Sequence, residues 1–338
     1  MMPCLDSRYI GAALPEPEKK IIARVRRSAA AAAGSTKVRR GIGDDCALLR
    51  LPADHEVLIT TDFSLEGVHF RREWHPPESV GHRCLARGLS DIAAMGGEPV
   101  AAFLSLALPA SLPQRWVDRF LAGLLELARE FRVPLAGGDT ASSPNGVLAD
   151  IEVLGSVPRG KAVLRSGARP GDGIYVTGAL GRSAAALAAL RAGRKLKPRA
   201  YPEHFFPTPR LAVGRQLRQR RLASAMIDLS DGLSTDLAHL CEESGVGAVV
   251  YAEAVPLAAR ERAARGPAGE PPALHSALHG GEDYELLFTS SRTIPPRIAG
   301  TTITRIGEIV RGHRLTLVDA SGRWPLPVRG WEHFRKEP

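Results

Sequence analysis

Cysteine is scarce and scattered in this chain. Cys4, Cys46, Cys84 and Cys241 form no CxxC pair, which excludes a zinc site built on paired thiolates. No disulfide framework is visible, which fits a reducing cytoplasm. Aromatic residues make up only 5% of the sequence, and none interleave with the basic runs as a nucleic-acid stacking platform requires. No long uncharged apolar stretch exists, so no transmembrane helix is expected. The opening Met1-Met2-Pro3-Cys4-Leu5-Asp6 lacks a basic region leading into an apolar core, so no signal peptide is expected either. Several catalytic signatures are missing. There is no Walker A loop, no HRD or DFG set, no GxSxG elbow and no HExxH. Gly41-x-Gly43 lacks the third glycine of a dinucleotide fingerprint, and the aspartates after it would repel a pyrophosphate.

What is present begins with size and charge. A chain of 338 residues is long enough for two domains and a sizeable core. The net charge is +9, but the positive residues are spread along the chain. The densest runs are Arg24–Arg27, Lys37–Arg40 and Arg215–Arg221. They read as solvated surface that favours the approach of polyphosphates, in preference to a contiguous nucleic-acid face.

The main signal is a set of aspartates beside glycine, serine or threonine. They stand in Gly41-Ile42-Gly43-Asp44-Asp45, Thr60-Thr61-Asp62, Leu89-Ser90-Asp91, Gly137-Gly138-Asp139-Thr140 and Ile227-Asp228-Leu229-Ser230-Asp231-Gly232. Gly280-Gly281-Glu282-Asp283-Tyr284-Glu285 adds further carboxylates. Any one of these is ordinarily a turn or helix cap. Six in one chain point to hard oxygen donors for Mg2+, which typically joins one or two carboxylates to substrate phosphates. A triphosphate among so many aspartates needs metal for charge balance.

Residues 1 to 15 read as a loose tail. Helices are expected over 19–33, 78–95, 114–131, 181–192, 209–221 and from Ser230 or Asp231, as cap, to about Ser244. In 114–131, Val117, Phe120, Leu121, Leu124, Leu125 and Ala128 form an apolar stripe. Strands are expected over 56–61, 100–108, 133–136, 147–157, 173–177, 225–228, 247–251, 284–290 and 302–310, with 133–136 delivering the Gly-Gly-Asp-Thr segment as a turn. An exposed loop is expected over 266–272. The alternation implies an α/β or α+β protein. Pro158 to Asp172 is rich in proline and glycine and reads as a linker, giving domains of 16–158 and 168–338. Leu89-Ser90-Asp91 and Leu229-Ser230-Asp231 form a faint internal echo at or near helix starts or faces, too short to establish a repeat.

The order and spelling of these segments resemble the thiamine-monophosphate kinase family. The resemblance runs from about Ile21 to Phe334. It is carried by GIGDDCALL (41–49), TTDFSLEGVHF (60–70), ARGLSDIAAMGGEP (86–99), AGGDT (136–140), LRSGARPGDGIYVTGALG (164–181), IDLSDGLSTDL (227–237), GGEDYELLFT (280–289) and GWEHF (330–334). It implies a two-domain fold like that of aminoimidazole ribonucleotide synthetase, dimerising through strands of the N-terminal domain into a homodimer. It implies the reaction of ATP with thiamine monophosphate to give ADP and thiamine diphosphate. Asp45, Thr60, Thr61, Asp62, Asp91, Asp139, Asp228 and Asp231 match positions that hold several Mg2+ ions in the family. Gly138, Asp139, Arg165 and Ser230 match nucleotide contacts, and His69, Glu282 and Trp331 match positions near the thiamine phosphate. The chain departs from the family pattern at Phe63-Ser64-Leu65 and at Ala141-Ser142-Ser143, and neither departure alters a matched ligand.

The chemistry agrees with that resemblance. Phosphoryl transfer needs positioning and charge neutralisation more than covalent help. The acceptor is already a phosphate with a second pKa near 6, so it is largely ionised at neutral pH. No nucleophile or general base is therefore expected. On the residues alone, Arg165 fits either a phosphate contact or a surface salt bridge, and Trp331 either a stack on the thiazolium cation or C-terminal packing. His69 and Glu282 fit structural roles equally well. The competing functions are another ATP-dependent enzyme of this fold with a different small phosphate acceptor, and a basic nucleic-acid-binding protein.

Overall fold

The computed structural model describes residues 18–32, 37–43, 45–257 and 272–334. The tail expected over 1–15, and all of the expected loop at 266–272 except Pro272, lie outside them. The chain divides into two compact units. The first holds Met1–Leu89 and Pro99–Arg159, and the second holds Ser90–Glu98 and Gly160–Pro338.

The first unit contains α1 (Glu18–Ala32), a small pair β1 (Val38–Arg40) and β2 (Leu48–Leu49), then β3 (His55–Leu65), most of α2 (Pro77–Ala94), β4 (Glu98–Pro109), α3 (Gln114–Glu130), β5 (Leu135–Ser143) and β6 (Leu148–Pro158). Its four-stranded sheet runs β3-β6-β4-β5. The β3–β6 pair is antiparallel over its full length, from His55 opposite Pro158 to Leu65 opposite Leu148. The stripe of α3 is buried throughout, and Trp116 joins it by stacking on Phe120 at 5.5 Å. Strand alternation sends Leu58 and Ser64 inward and leaves Val57, Ile59 and Phe63 exposed on the other face of β3.

The second unit is built on an eight-stranded sheet ordered β14-β13-β9-β12-β7-β10-β8, with β11 paired to β12. Its strands are β7 (Gly173–Thr177), β8 (Ala225–Asp228), β9 (Gly247–Tyr251), β10 (Leu286–Ser290), β11 (Arg297–Ile298), β12 (Thr301–Val310), β13 (Leu315–Asp319) and β14 (Gly322–Pro325). The helices are α4 (Arg182–Arg191), α5 (Pro202–Phe205), α6 (Leu211–Gln219), α7 (Leu233–Ser244) and α8 (Pro272–His279). β10 is buried at every position, and its Phe288 stacks on Tyr175 of β7 at 5.3 Å. The result is the mixed α/β architecture expected from the alternation. Among the described residues no helix is long and apolar enough to cross a membrane.

Three local expectations are corrected. Gly137-Gly138-Asp139-Thr140 is not a turn but the middle of β5, paired in parallel with β4. Neither Ser230 nor Asp231 caps α7. Its cap position is Gly232 at φ 116°, and the carboxylate of Asp236 accepts the amides of Asp231 (3.2 Å) and Gly232 (3.0 Å) from inside the helix. Pro209 lies before α6, whose cap residue is Arg210. The two Leu-Ser-Asp segments differ as well: residues 89–91 lie within α2, and residues 229–231 in the connection from β8 to α7.

Candidate active site

In the first unit the candidate metal residues sit on two strands and in the segment before a third. Thr60, Thr61 and Asp62 are on β3, Asp139 is on the edge strand β5, and Asp45 is exposed just before β2. Successive side chains of a strand point to opposite faces. Thr60 therefore shares a face with Asp62, packed toward Gly88 of α2, where a Cβ would meet its methyl at 3.6 Å. Thr61 points the other way, beside the exposed Ile59 and Phe63, and donates its hydroxyl to Asp150 at 2.7 Å. The side chains of Thr60 and Thr61 cannot serve one metal ion.

Gly138 answers first to packing. Its φ is 143°, and a Cβ there would lie 1.8 Å from the Leu104 carbonyl oxygen of β4. Next to it, the exposed Asp139 carboxylate accepts its neighbour Thr140's amide at 2.8 Å. His69 is held in a turn after β3, where its Nδ1 accepts the Leu65 amide at 3.0 Å and its amide donates to the Leu65 carbonyl. An accepting Nδ1 leaves the proton of the neutral ring on Nε2. Arg83, itself 3% exposed, donates to the His69 carbonyl at 3.2 Å.

The second unit gathers the rest more tightly. β8 ends at Asp228, a carboxylate residue 4% exposed, and Ser90 of α2 donates its hydroxyl to Asp228 Oδ2 at 2.7 Å. Asp91 follows Ser90 on that helix and is half-buried. The Ser230 and Asp231 carbonyls accept the amides of Glu282 (2.7 Å) and Trp331 (2.9 Å). Glu282 lies at φ 66°, half-buried. Arg165 is exposed, and its neighbour Leu164 accepts the Met226 amide alongside β8. Burial raises the Asp231 pKa, and Arg165 is the last of three positive groups, after His239 and His333, that oppose the rise.

Two aspartates bear on a third at this spot. Burial, then Asp228, then Asp231 push the Asp236 carboxyl well above its ordinary pKa, against the pull of the two amides it accepts. Burial also raises Asp231, opposed by His239, His333 and Arg165. Asp231 lines a cavity of about 620 Å³ with Thr235, His239, Val328, Gly330, Trp331, Glu332 and His333. The Trp331 ring meets His333 edge-on at 5.6 Å. Reading the sequence missed Asp236, His239 and His333. Asp236 stands five residues after Asp231, a spacing that a capping carboxylate could have suggested; the two histidines carry no local signal.

Other groups are accounted for. Burial pushes the Cys84 and Cys241 thiols up to about 12, so neither offers a thiolate at neutral pH, while Cys46 is exposed. Arg218, in the densest basic run, is not solvated as expected: its side chain is 9% exposed and donates to the Gly96 carbonyl at 2.7 Å. Among the described residues, no three His, Cys, Asp or Glu side chains stand together as a ready-made metal cage. That suits Mg2+ arriving on a nucleotide, which needs only one or two carboxylates beside the phosphates. The push of Asp228 and Asp231 on Asp236 is what a divalent cation relieves, so the donor set fits the ion.

Two family models match the chain: AIR synthase related protein, N-terminal domain, over residues 43–157, and AIR synthase related protein, C-terminal domain, over residues 169–293. Thiamine-monophosphate kinase of Salmonella typhimurium is 40% identical over 315 residues, covering 88% of this chain and 92% of the relative. Thiamine-monophosphate kinase from Stenotrophomonas maltophilia, a crystal structure, superposes with a TM-score of 0.76 at 34% identity, over 89% of this chain and 96% of the other. The structure of AaThiL complexed with AMPPCP and TMP gives a TM-score of 0.74 at 31% identity, over 94% and 97%. With this identity sustained along nearly its whole length, the chain belongs to the thiamine-monophosphate kinase family.

Proposed function

We propose that this protein transfers the γ-phosphoryl group of ATP to thiamine monophosphate, forming thiamine diphosphate and ADP. The observation that carries the reading is the Asp228–Asp231 segment: two hard carboxylates that both press on Asp236, with Asp231 lining a cavity walled by an indole. A phosphate oxygen of the acceptor attacks the γ-phosphorus in line, a new P–O bond forms, and the bond to the β,γ-bridging oxygen breaks as ADP leaves. The acceptor phosphate is already ionised, so no side chain has to take its proton.

Asp45, Thr60, Asp62, Asp91, Asp139, Asp228 and Asp231 are the proposed Mg2+ donors, with Thr61 restricted to its backbone carbonyl by the direction of its side chain. When bound, Mg2+ neutralises the phosphates and holds attacking and leaving oxygens in place. Gly138, Asp139, Ser230 and Arg165 contact the nucleotide, Arg165 through its guanidinium fork. Trp331 stacks on the thiazolium, and His69 and Glu282 orient the acceptor. His239 and His333 belong with them, because they line the same cavity as Trp331.

The exposed apolar residues Val57, Ile59 and Phe63 on β3 support a homodimer formed through this sheet face. ATP supply places the reaction in the cytoplasm. Incubating the purified protein with Mg-ATP and thiamine monophosphate, with thiamine in parallel, tests the function. One thiamine diphosphate per ADP, only from the monophosphate and only with metal, is expected. Mg-ATP binding without any diphosphate would move the reading to another acceptor.

A further inference from the structure

Glu285 stands immediately before β10 and is 4% exposed. Two side chains converge on its carboxylate. Arg210 approaches as a fork, Nε to Oε2 at 2.7 Å and Nη2 to Oε1 at 2.5 Å. Thr177, the last residue of β7, donates its hydroxyl to Oε2, and the same hydroxyl accepts the Leu286 amide at 2.8 Å. Gly178 leaves the carboxylate its space, since a Cβ there would lie 2.1 Å from Oε1. Arg210 is the cap residue of α6 and makes no side-chain cap hydrogen bond there. None of these residues belongs to the metal or substrate set above.

The backbone beside Glu285 carries the acidic segment. The Leu229 amide donates to the Glu285 carbonyl at 2.8 Å, and the Tyr284 amide donates to the Leu229 carbonyl at 2.9 Å. Glu282 binds Ser230 in the same way, and Leu286 stands opposite Asp228 in the β10–β8 register. Asp283 ties the loop to α4 by accepting the Gly181 amide at 2.9 Å. Glu282 and Tyr284 lie at φ 66° and 51°, backbone that side chains disfavour and that persists only where the surroundings hold it.

A buried ion pair is a weak device for stability, because desolvation offsets the Coulomb gain and apolar pairs often do as well. A bidentate fork instead fixes direction. We propose that Arg210, Glu285 and Thr177 are positioning residues that set the placement of Asp228, Ser230 and Asp231 for the metal-bound nucleotide. The inference rests on the function proposed above and assigns these three residues a part in it.

The test compares Thr177→Val, Arg210→Lys and the apolar double variant Arg210→Met/Glu285→Leu. The readouts are kcat, KM for thiamine monophosphate, melting temperature, and the Mg2+ concentration that half-saturates binding of a non-hydrolysable ATP analogue, measured by calorimetry. The double variant is expected to melt within about 4 °C of wild type. Its kcat falls at least about tenfold, the scale that small misplacements reach, with KM for the acceptor within about twofold. Its Mg2+ midpoint rises at least about threefold. Thr177→Val shifts kcat and the midpoint in the same direction by less. Arg210→Lys keeps the charge and loses the fork, and falls between wild type and the double variant. Unchanged kcat and midpoint in the double variant overturn the proposal. If that variant does not fold, unchanged values in both Thr177→Val and Arg210→Lys overturn it. A wild-type protein that binds the analogue with Mg2+ yet makes no thiamine diphosphate sinks the proposed function, and the midpoints then still decide on the clamp.

Discussion

Replacing Asp228 by asparagine separates what this residue does for the fold from what it does for the reaction. Asparagine fills the same buried volume, and its amide oxygen can still accept the Ser90 hydroxyl that lies 2.7 Å from Oδ2. Only the negative charge is lost. That charge is the first of the two, ahead of Asp231, that raise the Asp236 carboxyl beyond the effect of burial. Relieving part of this repulsion stabilises the metal-free protein, so its Tm rises. Ligand linkage runs the other way. At a hundred times its Kd, an Mg2+-nucleotide analogue stabilises wild type by about 2.7 kcal/mol, and the variant keeps only a fraction of this. Turnover falls about 100-fold or more, the scale of losing one preorganised electrostatic contact. Differential scanning fluorimetry with and without the analogue, beside a coupled ADP assay at neutral pH, reads both effects. A variant that melts lower without metal and turns over near the wild-type rate would show Asp228 to be a structural acceptor for Ser90, and the metal assignment would fall.

Burial lowers His279 to about 4 from an ordinary 6.5, helped by His275 and Arg329, and its Nδ1 lies 2.9 Å from the Ser234 hydroxyl. The unfolded chain takes up this proton below about pH 6.5 and the folded chain resists until about 4, so stability is lost as pH falls through that window. The loss is on the order of 3 kcal/mol at most, read from urea midpoints between those pH values, and a His279→Gln variant should show a flatter profile. Trp331→Ala should raise KM for thiamine monophosphate about 2- to 30-fold, the range of a cation–π contact, and leave KM for ATP unchanged; steady-state kinetics with each substrate varied checks this, and equal rises in both would place the indole in packing. Ile59→Asp puts a charge on the exposed β3 face and should shift the protein from dimer to monomer in light scattering, whereas a wild type already monomeric removes the basis for that interface.

Elements with strong local pattern were readable from the sequence. The stripe of α3 is one, and the short apolar runs at 173–177, 225–228 and 247–251 match β7, β8 and β9 residue for residue. Elsewhere tertiary context overrode local signals. Glycines made 137–140 look like a turn, yet they let β5 lie against β4. β13 and β14 escaped notice because they are short, 5 and 4 residues, and a proline ends Gly322–Pro325. α8 follows a proline- and glycine-rich stretch that masks its start. The acidic segments were visible from composition, but their partners were not: Ser90 meets Asp228 across 138 positions of sequence, and Arg210 meets Glu285 across 75.

Geometry assigns different tasks to aspartates that a sequence reader treats alike. Asp228, Asp231 and Asp236 fall within nine positions and share one electrostatic neighbourhood. Asp236 has its carboxylate committed to two backbone amides, so it works as the cap of α7. Asp228 accepts the Ser90 hydroxyl through Oδ2, and Asp231 lines a cavity while its carbonyl accepts the Trp331 amide. Burial, Asp228 and Asp231 all raise the Asp236 carboxyl, and the ladder from Glu282 to Leu286 stands beside them together with the Arg210–Glu285 pair. On the proposed function, a divalent cation held by Asp228 and Asp231 would offset their push on Asp236. Neutralising Asp228 and breaking the Arg210–Glu285 fork should both lower turnover, yet move Tm differently: the first raises it, and the second leaves it nearly unchanged. A protein in which both changes lower Tm in proportion to activity would owe its acidic segment to packing alone.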